Sequence, residues 1–202
     1  MALQTPKGQQ TREHVLESAM SLIRRKGYGN VSINDIIDAT GVKKGNLYFH
    51  FPGKDDLILA IIDRARRDYG AYLASRIRGA TALERIDSLL AAVFEYHRRT
   101  RFVGGCIFGN MALEMADADR RFADAIRAVF AEWTDSLERL LDEARRGGEL
   151  ATTLSTRTLA KHIVAALEGA VMIAKVSKSA RDFNDCLLPV RVLLGIESEV
   201  RQ

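Results

Sequence analysis

Proline, cysteine and tryptophan are scarce: 3, 2 and 1 of them in 202 residues. A many-stranded sandwich marks its turns with Gly or Pro about every ten residues, and 15 glycines with 3 prolines are too few for that. No run reaches the roughly eighteen apolar residues of a membrane span, so no membrane partner is expected. The opening MALQTPKGQQTREHV lacks the apolar core of a signal peptide, which points to the cytoplasm. In that reducing compartment Cys106 and Cys186 are expected as free thiols, with Cys186 packed among Phe183, Leu187 and Leu188. The chain also lacks the usual catalytic constellations. His14, His50, His97 and His162 are scattered, and there is no HExxH, CxxC, GxSxG or glycine-rich phosphate loop. Neither an enzyme, a metal nor a cofactor is expected.

What is present suits helices. Hydrophobic residues make up 47% and charged residues 28%, with no alternation of strand and helix patterns. The net charge of +4 is unevenly placed. Residues 1–54 hold eight Lys/Arg against four Asp/Glu, whereas residues 55–202 hold twenty-two of each. Between Ala39 and Lys54 there are three lysines, Lys43, Lys44 and Lys54, and no carboxylate, which makes a local cationic surface.

Apolar spacing at Val15, Leu16, Ala19, Leu22 and Ile23 predicts a helix from about Thr11 to Lys26, closed by Gly27. Ser32, with Asp35 three residues on, predicts the cap of a short second helix that Gly41 ends. A third runs from about Lys43 to His50, closed by Pro52 and Gly53. Beyond it the pattern predicts helices over 54–77, 82–100, 105–115, 119–146, 155–177 and 183–195, with glycines at the breaks. Two short helices joined through a glycine turn, behind a longer one, form a helix-turn-helix arrangement.

The run VSINDIIDATGVKKGNLYFHFPGKDDL, Val31 to Leu57, resembles the DNA-binding signature of the TetR-type transcriptional regulators, and the likeness extends back through Thr11. It implies an all-α fold, with a three-helix DNA-binding domain over residues 9–69 and a helical bundle for ligand sensing and dimerisation over 70–202. The residues are consistent with it. Leu47 and Phe51 must face a core, so Lys43, Lys44, Asn46, Tyr48 and His50 point outward, toward the major groove of a duplex. Gly45 removes a side chain where the helix approaches DNA, and Ser32 and Lys54 stand at helix starts suited to phosphate.

One such unit makes too few phosphate contacts for useful affinity, so a homodimer on a partly palindromic double-stranded DNA operator is expected. The last two helices would form its interface. Leu159, Ile163, Ala166, Leu167, Ala170 and Ala174 line one face, and Leu187, Leu188, Val190, Val192, Leu193 and Leu194 give the last helix more apolar surface than one neighbour covers. A helical ligand-carrier or interaction module that merely keeps a basic N-terminus, without specific DNA binding, is the alternative, and nothing in residues 55–202 excludes it.

Family resemblance also implies a small-molecule effector, held among the middle helices. Candidate wall residues are Phe94, His97, Met111, Met115, Phe130, Trp133 and Met172, although the same stripe reads as core packing. The segment GGCIFGNMALEMAD resembles a subset of the family with a Gly-Cys step here, some of whose members sense electrophiles or oxidants, and ALEGAVMIAKVSKS places Lys175 correspondingly. At a helix start, near Lys175, the Cys106 thiol is expected to be acidified. The other reading of Cys106, a small buried hydrophobe, stays open.

Overall fold

The computed structural model describes residues 7–196, and these are all helix, turn and loop. The expected domain limit at 202 and the residues from 197 on lie outside them. Nine helices follow in order among the described residues: α1 Lys7–Lys26, α2 Ile33–Thr40, α3 Lys44–His50, α4 Lys54–Ala74, α5 Ala82–Arg98, α6 Ile107–Met115, α7 Arg120–Arg146, α8 Thr156–Ser177 and α9 Ala180–Leu194.

The helix ends follow from local chemistry. At α2, the Ser32 hydroxyl accepts the Asp35 amide while the Asp35 carboxylate accepts the Ser32 amide, a reciprocal cap. Gly41 then turns the chain at φ 66°, its N–H donating to the Ile37 carbonyl at 2.8 Å. Thr81 and Glu84 cap α5 in the same way. The last helix starts at Ala180, earlier than the expected residue 183, because Ser179 accepts the Asp182 amide and caps the chain sooner. Pro189 lies inside α9, where it removes one donor of the helical ladder.

Packing sorts the apolar side chains into two cores. The first joins Val15, Leu16, Ile36, Leu47, Phe51, Leu57 and Ile61 of α1–α4 to Phe108 and Met111 of α6 and to Phe122 and Ile126 of α7. A second joins α5, α8 and α9 to the far half of α7, through residues such as Ile86, Leu90, Leu141, Ile163 and Phe183. The expected boundary between residues 69 and 70 therefore falls inside α4, and α6 packs with the N-terminal helices. Tyr69 and Cys106 pack against both cores.

The expected apolar face of α8 is largely consumed within the chain. Leu159, Ile163, Ala170 and Ala174 are no more than 1% exposed because α8 packs on α7 and α9. Leu187, Val190 and Leu194 of α9 are buried too. What remains outside is Met172, Ile173 and Val176 on α8, none of them in the expected face, and Leu188, Val192 and Leu193 on α9, all three among those expected.

His97 is the one buried histidine among the described residues, 3% exposed on α5. Burial, with the Arg24 guanidinium behind it, pushes its pKa down from 6.5 to about 4. Above 6.5 the imidazole is neutral folded or unfolded and contributes nothing to the pH dependence. Between 6.5 and 4 only the unfolded chain takes up the proton, so stability falls as pH falls through that window. Between about pH 7 and about pH 5 this linkage costs about 2 kcal/mol. His97→Gln should lose that much less stability over the interval, read from urea midpoints at both pH values; equal losses would overturn the assignment.

Candidate nucleic-acid interface and effector cavities

Helix α3 is held by its buried side, Leu47 and Phe51, at 0% and 2% exposure. Its preceding turn is tied to α1 by a 3.1 Å contact between His14 Nε2 and the Thr40 carbonyl. Thr40 in turn donates to the Ile36 carbonyl at 2.8 Å, so the turn is bonded on both sides. Lys43, Lys44, Gly45, Asn46 and Tyr48 are exposed together, and no carboxylate lies between Ala39 and Lys54. The outward surface is therefore cationic, with hydrogen-bonding amide and phenol groups set within it. His50 is half-buried, between the rings of Phe49 at 5.2 Å and Phe51 at 6.4 Å.

Two findings depart from the sequence reading. Lys54 turns inward: its ammonium lies 3.9 Å from the Tyr28 ring centroid and donates to the Tyr28 carbonyl at 2.9 Å. Desolvation lowers its pKa, and it pins α4 to the α1–α2 loop instead of reaching for phosphate. The Ser32 hydroxyl is committed to Asp35 as the expected cap of α2. Phe49 is absent from the expected outward residues, yet it is 82% exposed on the outward side of α3. Its signal was available, since on a helix whose residues 47 and 51 face inward, position 49 points away.

On the other side of the first core, the loop into α6 carries four residues in the left-handed region: Arg101 at φ 51°, Phe102 at 58°, Gly104 at 87° and Gly105 at 65°. Phe102 is held there by stacking on Phe183 at 6.0 Å and by Phe94 at 6.2 Å. A side chain on Gly105 would sit 2.8 Å from Lys175 Cδ, so the loop and α8 meet where only glycine fits. This loop delivers Cys106 to the N-cap of α6.

Two cavities meet at Cys106, and a third lies beside them, sharing Tyr69 and His97 with one and Glu168 with the other. One, of about 1110 Å³, lies open between α6, α7 and α8 and includes Cys106, Phe130, Glu168, Met172 and Lys175 in its wall. A second, of about 120 Å³, is bounded by Tyr69, Tyr96, His97 and Cys106. The third, of about 220 Å³, is lined by Tyr69, Leu73, His97, Trp133 and Glu168 among others. Phe94 and Met111 line none of these. Phe94 stacks on Phe102 and Phe183 in the second core, and Met111, 1% exposed, fills the first.

The thiol of Cys106 is the reverse of the expected acidic group. Desolvation raises its pKa well above the ordinary range, and the Glu168 carboxylate, which accepts its S–H, raises it further. The helix-start effect is present, since the amides of Gly109 and Phe108 act in the lowering direction, but burial outweighs it. Lys175 does not rescue the thiolate, because its ammonium donates to Asn110 Oδ1 at 3.1 Å. Glu168 lies so close over Gly109 that a methyl there would collide with its carboxylate. Burial raises the Glu168 pKa too.

At its other end α6 grips the DNA-facing half. Glu114 Oε2 accepts the Gly29 amide in the α1–α2 loop at 3.1 Å. Arg121, at the start of α7, pairs with Asp55 of α4 at 3.3 Å, and Asp55 also accepts the Tyr28 hydroxyl at 2.7 Å. One helix thus runs from the cavities to the base of the helix-turn-helix.

An exposed cationic helix on a glycine turn, carried by a helical bundle with internal cavities, defines a helix-turn-helix DNA-binding transcriptional regulator. Residues 15–61 match the domain described as bacterial regulatory proteins, tetR family, and residues 82–187 match the tetracyclin repressor-like C-terminal domain. A TetR transcriptional regulator from Chloroflexus aurantiacus J-10-FL superposes with a TM-score of 0.86 at 32% identity, over 95% of this chain and 97% of that one. The transcriptional regulator AcuR of Cereibacter sphaeroides is 30% identical over 81% of this chain and 76% of its own length. The transcriptional repressor DhaR of Mycobacterium sp. strain GP1 is 23% identical over 89% of each. The chain belongs to the TetR family. Among the described residues no helix is long and apolar enough to cross a membrane, and no group of His, Cys, Asp or Glu could hold a metal ion.

Two outcomes follow from this geometry. Gly45 is exposed with nothing within 4 Å of an added Cβ. Gly45→Ala should therefore raise stability by about 0.5–1 kcal/mol, as the helix gains a better former, while weakening DNA binding measured by fluorescence anisotropy. Affinity that is unchanged or improved would show that α3 does not approach the duplex at this point. For the thiol, Glu168→Gln in a Cys186→Ser background removes the charge that opposes ionisation. Alkylation of Cys106 by iodoacetamide near neutral pH should speed up, about tenfold for each unit by which the pKa drops. A slower reaction would mean that Glu168 takes the thiol proton and assists attack.

Proposed function

We propose that the chain is a homodimeric repressor that sits on a palindromic operator and leaves it when the cavities around Cys106 are occupied or the thiol is modified. The observation that carries this is α6, which has Cys106 and Gly109 against the cavities and Glu114 on the Gly29 amide of the DNA-reading half. From Cys106 to Glu114 spans about 12 Å of helix. An occupant pressing on Gly109 or Glu168 moves a rigid rod whose far end holds the helix-turn-helix. Release needs an effector with different affinity for the bound and free arrangements, and bulk beside Gly109, which would make the Glu168 carboxylate swing aside, provides such a difference.

Lys43, Lys44, Asn46 and Tyr48 make the DNA contacts, within a reading unit of residues 9–69 served by a regulatory part from residue 70 on. The second copy docks on Ile173, Val176, Leu188, Val192 and Leu193, the exposed apolar residues of α8 and α9. Repression as the sign of control is supported by the mycobacterial relative, which is named a repressor. Modification of Cys106 acts at the same place as a ligand, since it removes the S–H that Glu168 accepts and adds volume at the seam of the two cores.

The test is footprinting on the DNA upstream of the protein's own coding region. Protection should fall on two half-sites related by a dyad, their centres about 10 base pairs or a multiple apart. N-ethylmaleimide should lift it for the wild type and leave it in place for Cys106→Ser. A footprint without symmetry, or a monomeric mass by light scattering at micromolar concentration, would overturn the dimer; equal loss in both proteins would remove Cys106 from the switch.

A further inference from the structure

Among the described residues one buried side-chain polar atom has no hydrogen-bond partner in the protein, His97 Nδ1. Its ring, 3% exposed, belongs to the walls of both the 120 Å³ and the 220 Å³ cavities. A buried polar atom left unpaired is costly, and Leu or Phe at this point of α5 would pack without that cost. The larger cavity is otherwise apolar toward the interior, with Leu73, Val93, Trp133, Leu137 and Val171 in its wall. At the rim Arg66 and Glu132 pair at 3.0 Å and are about half exposed, and Glu168 is the further acid in the wall. Its volume exceeds the roughly 150 Å³ in which an apolar protein cavity takes up benzene.

We propose that this cavity binds a small uncharged molecule with a single-ring apolar body and one neutral polar head, hydroxyl, carbonyl or amide, and that His97 Nδ1 forms the hydrogen bond to that head. The inference rests on the reading of the C-terminal helices as the effector-binding part and names the effector's class. A neutral head is favoured because each polar group at the inner end is held uncharged or already engaged. Burial keeps His97 unprotonated and the Tyr69 phenol protonated, and Glu168 is occupied by the thiol of Cys106. An anionic head would give up its hydration beside the Glu168 carboxylate, and a cationic head would have to displace the Cys106 thiol from it.

Trp133 is the chain's one tryptophan and lines this cavity, so its fluorescence reports occupancy. The full chain is titrated with phenol, toluene, benzoate and benzylamine, as wild type, His97→Phe and His97→Gln. Phenol should bind about tenfold more tightly than toluene in the wild type, the worth of one hydrogen bond made to an otherwise unpaired group. Benzoate and benzylamine should bind more weakly than phenol. The preference for phenol over toluene should vanish in His97→Phe and persist in part in His97→Gln, which keeps a polar group there if the apolar variant fails to fold. Equal binding of phenol and toluene to the wild type would overturn the proposal, leaving the nitrogen to a single water. So would tightest binding by benzylamine, which would make Glu168 the anchor, or a phenol preference indifferent to both variants. Phenol binding that depends on His97 but leaves the operator footprint intact would support this site and sink the effector reading. A footprint lifted by alkylation, without any phenol preference, would do the opposite.

Discussion

The arrangement depends on a seam between two apolar cores. A bundle with a single core would move as one piece or not at all, because close-packed interiors resist local displacement. Here the DNA-reading helices, α6 and the first half of α7 share one core, while α5, α8, α9 and the rest of α7 share another. Tyr69 and Cys106 touch both. The cavities collect along that contact, where the two sets of side chains fail to interdigitate completely. In the proposed function, a molecule bound there would change how the cores meet without unfolding either.

Electrostatics is divided between the ends of the molecule. In the reading half, two acids near the lysines, Asp35 and Asp55, are engaged in structural bonds. Asp35 caps α2 and pairs with Lys26 at 3.2 Å, and Asp55 takes the Tyr28 hydroxyl and Arg121. Hydrogen bonds from Ser32 hold the Asp35 carboxyl well below the usual carboxylate range, so the cap persists at any ordinary pH. The lysines of α3 are left facing outward, with no carboxylate on their segment. At the seam the opposite holds: His97, Tyr69, Cys106 and Glu168 are all pushed toward their neutral forms by burial. Charge is thus presented outward by the reading half, while the seam offers neutral hydrogen-bonding groups in a desolvated site.

The reading surface was legible because its determinants are local. Capping at Ser32, the left-handed turn at Gly41 and the inward spacing of Leu47 and Phe51 each depend on residues within one or two turns. The same period that buried residues 47 and 51 assigned Lys43, Lys44, Asn46 and Tyr48 to the outside. Lys54 escaped this logic, since its partner, the ring and carbonyl of Tyr28, is twenty-six positions away. Phe94 and Met111 carried the composition of a ligand wall, but which apolar side chains face a cavity and which fill a core depends on how helices cross.

From the amino-acid order alone came the helices, the cationic stretch and the family likeness, since periodicity, caps and charge counts involve neighbours along the chain. Only the tertiary structure decided the ionisation of Cys106, the isolation of His97 and the division of the cores. The Cys106 thiol meets Glu168 sixty-two positions away and loses its water to residues from several helices. The local amides at its helix start favour a thiolate, and the surroundings reverse that preference. Desolvation is a property of everything packed around a group, so it comes into being only when distant segments close over it.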